Sequence, residues 1–310
     1  MTGSTLPQQV LIYDRIAENR RTTFLLLIVF TVLLGGLSIA LGIILGMPYP
    51  YTPLLIIPFL LYAIFSYYAS SRITLGISRA REITKEQELE LYNTVENLCI
   101  GAGLPMPKVY IIEDTAPNAF ATGRDPKHAS VAVTRGLLQK LDRFELQGVI
   151  GHELSHIGNY DTRLMTLVVV LVGVAALVAD FALRLTIMGA GRRSGNRDKG
   201  GGAAIAIIYL IAFVAAILAP LAAQMIQFAI SRQREYLADA SGALLTRNPE
   251  ALARALEKIS ADPEPLEEAN KATAHLYISN PLREHKSFMN GLFNTHPPIA
   301  ERVRLLRAMQ

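Results

Sequence analysis

The sequence predicts a mainly α-helical protein with one small β-sheet, held in a membrane by two to four apolar helices. Three features carry that expectation: long uncharged apolar runs, a cluster of short β-branched segments between turn formers, and two histidines one turn apart inside a capped helix.

The apolar residues of this 310-residue chain are bunched rather than spread. Crossing about 30 Å of hydrocarbon takes roughly 20 helical residues, and positions 22–45 contain no charge at all. A second run, 54–69, follows Pro48, Pro50 and Pro53, so residues 1–70 read as a membrane hairpin with an uncharged turn. Arg15, Arg20 and Arg21 precede it, and Arg72, Arg79 and Arg81 follow it. Basic residues collect on the cytoplasmic side, so both ends of the hairpin, and the part after it, are expected in the cytoplasm of a multi-pass cell-membrane protein. The apolar core of the first run is too long for a cleaved signal peptide. The single cysteine, Cys99, cannot close an internal disulfide, which agrees with a reducing compartment.

The net charge is +4, and no segment interleaves aromatic residues with a dense basic stripe. A nucleic-acid partner is therefore not expected; the apolar runs and their basic flanks point to the lipid bilayer as a partner, and no pattern specifies an oligomeric state.

After the hairpin, Thr84 and Gln87 suggest a capping box for a helix carrying Leu91, Tyr92, Val95, Leu98 and Cys99. It should stop at Gly101, Gly103 and Pro105. Positions 108–112, 119–122 and 130–134 read as three short strands of one sheet. Asp142 and Glu145 form a second capping box, opening a helix through Leu146, Val149, Ile150, His156 and Ile157. Asn159 and Asp161 are expected to end that helix or to meet Arg163.

Two further runs, 164–188 and 203–230, are long enough to span, and flank a Gly-rich loop with Arg192, Arg193, Arg197 and Lys199. If both cross, this basic loop lies outside, against the usual charge bias, so full crossing and partial insertion both stand. Asp180 and Arg184, four apart, suit an ion pair within the third run. The chain thus divides into the hairpin 1–70, a catalytic part 71–163, a second apolar pair 164–230, and a second catalytic part 231–310.

His152-Glu153-Leu154-Ser155-His156 is H-E-x-x-H. On a helix its imidazoles lie on one face, positioned to share a metal, with Glu153 beside them to act on a bound water. Catalytic zinc usually takes three protein ligands, so one more is needed. His128, His275, His285 and His296 qualify by residue type; Glu235 and Asp239 qualify by spacing, one turn apart just as the fourth run ends. In that arrangement Glu235 ligates and Asp239 accepts the N–H of a ligand imidazole. The competing reading is a solvated acidic face near Arg232 and Arg234.

In this order of elements the chain resembles the HtpX-type membrane zinc metalloproteases, a family related to the CAAX prenyl endopeptidases. The resemblance rests on the hairpin, His-Glu-Leu-Ser-His, the two later apolar runs, Glu235-Tyr236-x-x-Asp239, His296-Pro297-Pro298, and Asn118-Ala119-Phe120-Ala121-Thr122-Gly123. It implies a zincin-like α+β fold and a cytoplasm-facing endopeptidase that cleaves membrane or misfolded proteins in quality control. It also implies one zinc per chain on His152, His156 and Glu235, with Glu153 as general base. His296 and Arg302 resemble the family element that stabilises the tetrahedral intermediate. Asn118, Ala119, Phe120 and Ala121 resemble the strand along which an extended substrate pairs.

Two other functions share part of this pattern. A prenyl-protein endopeptidase shares the chemistry but usually has more spans than the four at most available here. A scaffold fastened by zinc is disfavoured, because structural zinc sites commonly use four ligands rich in cysteine.

Overall fold

A computed structural model describes residues 56–168, 232–267, 273–281 and 297–309, with scattered positions between 21 and 54. Among these the protein is mainly helical with one small sheet, as expected. Helix α1 (Ile56–Ile77) contains most of the second apolar run and extends through Arg72. Among the described residues no helix is long and apolar enough to cross a membrane. The run 22–45 is described only at scattered positions; most of 164–188, with Asp180 and Arg184, and all of 203–230 lie outside the described residues.

The sheet has strand order β1-β2-β4-β3, built from β1 (Arg81–Glu82), β2 (Lys108–Ile112), β3 (Ala119–Gly123) and β4 (Ala129–Thr134). β2 and β4 are parallel, with Val109 opposite Val131; β3 runs antiparallel to β4, with Ala121 opposite Val131. The three strands read from the sequence match within one residue, and the two-residue β1 was too short to show a pattern. Central β4 is buried along its whole length, which suits its small and β-branched residues, Ala129–Thr134.

Helix α2 (Leu89–Ala102) packs Leu91, Val95 and Cys99 into the core and ends at Gly103, whose φ of 65° only glycine adopts without strain. Its start differs from the expected one. The Thr84 N–H does meet Gln87 Oε1 at 3.0 Å, but this closes a turn, and the helix begins at Leu89 with no side-chain cap. Short helix α3 (Arg135–Lys140) leads into α4 (Arg143–Gly158), where the Asp142–Glu145 capping box forms in full: Asp142 Oδ1 accepts from the N–H groups of Phe144 and Glu145, and Glu145 Oε2 accepts from the N–H of Asp142. Three orphan donors at the helix start are thereby satisfied.

Helix α4 is the centre of the molecule. One side packs on the sheet and α2, the other on α5 (Arg232–Thr246) and α6 (Pro249–Ala261), with α7 (Ile299–Arg307) against α6. Because α4 is enclosed, its apolar residues surround its axis rather than forming one stripe, and eleven of its sixteen residues are buried, His152, Glu153 and His156 among them.

Candidate metal centre

Helices α4 and α5 bring the two halves of the sequence pattern together. His152 and His156 lie one turn apart on α4, with ring centroids 4.7 Å apart and planes nearly perpendicular. From α5, Glu235 Oε2 lies 3.7 Å from His152 Nε2, and Glu235 Oε1 lies 3.5 Å from His156 Nε2. One ligand atom from each of the three residues falls within 4.8 Å of the other two, and all three side chains are buried. Glu235 and Asp239 are each 2% exposed, which rejects the solvated acidic face.

The outer nitrogens of both rings face carboxylates. His152 Nδ1 is 2.9 Å from Asp239 Oδ1, and His156 Nδ1 is 3.0 Å from Asp161 Oδ2. An N–H at each Nδ1 leaves the Nε2 lone pairs directed inward, where the two Nε2 atoms approach to 3.2 Å beside the Glu235 carboxylate. Three electron-rich groups converging in a buried space call for a cation. Without a metal that cation is a proton: although burial disfavours charge on His156, its hydrogen bond to Asp161 and the charge of Glu235 push its pKa up to about 9.

Glu153 sits beside them, 1% exposed, with Oε1 buried and lacking a hydrogen-bond partner. Burial pushes its carboxyl above the usual range, against the pull of His152 and His156, and the backbone N–H of Ala121 in β3 favours its ionised form. An orphaned carboxylate oxygen next to the His/His/Glu cluster is the arrangement that a metal and its water would complete.

Arg302, from α7, lies behind Asp239. Its Nε and Nη2 donate to the two Asp239 oxygens at 2.8 and 2.7 Å, its Nη1 donates to the Ile278 carbonyl at 3.1 Å, and Nη1 lies 3.6 Å from Glu235 Oε2. Burial opposes the Asp239 charge, but Arg302 outweighs it and holds that carboxyl well below its usual range. Arg302 is thus placed as the counter-ion of Asp239, with its guanidinium also facing Glu235. His296 and His285 lie outside the described residues, and His128 pairs with Asp125 at an exposed turn.

β3 is the sheet edge nearest the cluster, and part of it is already paired. Phe120 forms an antiparallel bridge with Tyr277, the Ile278 N–H donates to Ala119 O at 3.0 Å, and Asn118 Nδ2 donates to Ser279 O. Of the four residues expected to meet substrate, Asn118, Ala119 and Phe120 are engaged by 277–279, while Ala121 faces Glu153. Asp161 was read as a helix end or a partner of Arg163; its contact with His156 depends on a turn that sequence spacing does not show.

This site defines a metalloprotease of the H-E-x-x-H class. Residues 85–310 match peptidase family M48. The chain is 48% identical over 299 residues to "Protease HtpX homolog" of Tropheryma whipplei (strain Twist), covering 96% of this chain and 99% of that protein. It is 45% identical over 306 residues to the protein of the same name from Listeria monocytogenes (strain HCC23), covering 96% and 100%. The crystal structure of S. mikatae Ste24p superposes with a TM-score of 0.50 at 18% identity, over 94% of this chain and 67% of that one, a likeness of fold. The chain belongs to peptidase family M48 and is a metalloprotease hydrolase.

Proposed function

We propose that the protein is a membrane-anchored zinc endopeptidase that hydrolyses membrane or misfolded proteins at the cytoplasmic face. The observation that carries this reading is the convergence of His152 Nε2, His156 Nε2 and Glu235 Oε on one buried point beside the orphaned Glu153 oxygen. Two imidazoles and a carboxylate suit zinc, and three ligands leave one position open, as in catalytic sites.

When bound, zinc supplies Lewis acidity that lowers the pKa of a coordinated water toward about 7 and polarises the scissile carbonyl. Glu153 accepts the proton of the attacking water and later delivers it to the leaving amine, a task suited to a carboxyl whose pKa burial has raised. Asp239 fixes the His152 tautomer, and Arg302 keeps Asp239 ionised. An extended substrate pairs with the β3 edge at Ala121, since 277–279 occupies the edge at Ala119. Main-chain pairing reads few side chains, which suits substrates as varied as misfolded proteins.

The membrane reading rests on the apolar runs and their basic flanks. Consistent with it, α1 exposes Leu61, Ile64 and Phe65. In this reading the hairpin 1–70 anchors the enzyme, and residues 71–163 and 231–310 together form the catalytic body.

The test is cleavage of an unfolded protein by detergent-purified enzyme. Wild type is expected to cleave, and both a chelator and Glu153→Gln are expected to stop it. Cleavage that survives both treatments contradicts the reading.

A further inference from the structure

The histidine pair is supported on both sides by the same kind of arrangement. Behind His152 stand Asp239 and, bonded to it, Arg302. Behind His156 stands Asp161, whose other oxygen, Oδ1, is 3.7 Å from Arg234 Nε. We infer that Asp161 and Arg234 form a second His–Asp–Arg relay that positions His156 for the metal, as Asp239 and Arg302 position His152. This inference rests on the proposed zinc site.

The backbone shows that the contact depends on a specific reversal. In an uninterrupted helix a residue five positions on lies about 140° around the axis, so Asp161 would point away from the His156 ring. Instead α4 ends at Gly158 with Asn159 as its C-cap, Tyr160 takes φ 60°, and the chain restarts as a helix at position 161. A non-glycine residue in the left-handed region is a strained choice, and here it turns the Asp161 carboxylate back onto Nδ1.

Burial makes the arrangement demanding: Asp161 is 1% and Arg234 7% exposed. A carboxylate there needs a nearby cation, and Arg234 supplies it from the residue preceding Glu235. One helix, α5, therefore carries both the third ligand and the guanidinium that stands beside Asp161. With its Nδ1–H held by that carboxylate, His156 presents its Nε2 lone pair, and the imidazole is made a stronger donor.

The experiment measures the zinc dissociation constant of full-length protein in detergent by chelator competition, with metal-free melting and the visible spectrum of the cobalt form. Asp161→Ala is expected to weaken zinc binding about 10-fold to 100-fold and to shift the cobalt bands. If that variant fails to fold, Asp161→Asn decides, because its amide oxygen still accepts from Nδ1 but carries no charge; a loss of about threefold or more supports the relay. A merely structural Asp161 would lower the melting temperature and leave the zinc constant and cobalt spectrum of folded protein unchanged, which overturns the inference. Absence of zinc from wild type overturns the metal site and the relay with it, and so differs from failure of the variants alone.

Discussion

Gly242 of α5 lies directly against the backbone of His152 on α4: a Cβ added to it would sit 2.7 Å from the His152 nitrogen. Gly242 is seven residues beyond Glu235 and three beyond Asp239, on the same helix face. The close approach that only glycine permits is what holds the Glu235 carboxylate within reach of both imidazoles.

Gly242→Ala is therefore expected to push α5 from α4, destabilise the protein by about 1–3 kcal/mol, and reduce bound zinc. Thermal melting and zinc content check this. Gly76→Ala, where nothing lies within 4 Å of the added Cβ, serves as the control and should not lower the melting temperature.

Arg302 is fully buried, and its removal leaves Asp239 charged without its partner. Arg302→Met should cost about 3–5 kcal/mol of stability. The double variant Arg302→Met with Asp239→Leu should recover part of that loss, because neither buried charge then remains. Denaturation of the single and double variants measures the difference.

Glu153 is retained at a cost to stability. Its pKa is raised by burial, so its contribution is favourable at low pH and is lost as pH rises above the ordinary carboxylate value. At pH 7 metal-free Glu153→Gln should melt at or above the temperature of metal-free wild type, and the zinc-loaded variant should not cleave. A clearly lower melting temperature for that variant would contradict this account of the carboxylate.

His156 gives an acid–base signature of the same sign in the metal-free protein, at higher pH. Its pKa, raised from about 6.5 to about 9, means stability that is complete below about 6.5 and lost as pH climbs through about 9. Zinc must displace the same proton. Its affinity should therefore rise with pH up to about 9, with proton release on binding, which calorimetry in buffers of different ionisation enthalpy detects.

Much of this was legible in the sequence because its signals are local. The Asp142–Glu145 capping box, the strand read at 130–134 and the pairing of His152 with His156 each depend on spacing within one element. Glu235 and Asp239 were legible from their shared helix face. What escaped depends on tertiary approach: Asp161 reaches His156 only through the left-handed Tyr160, Arg302 stands behind Asp239 because α7 packs there, and Ile278 reaches Ala119 from far along the chain. The Thr84–Gln87 pair misled because the same side-chain contact closes a free turn as readily as it caps a helix.

The central claim is that one zinc is held by His152, His156 and Glu235. Metal analysis of detergent-purified wild type and Glu235→Ala, washed under the same mild chelation, tests it most directly. The account predicts about one zinc per wild-type chain and little in the folded variant; equal zinc in both would contradict it and return the third ligand to another residue.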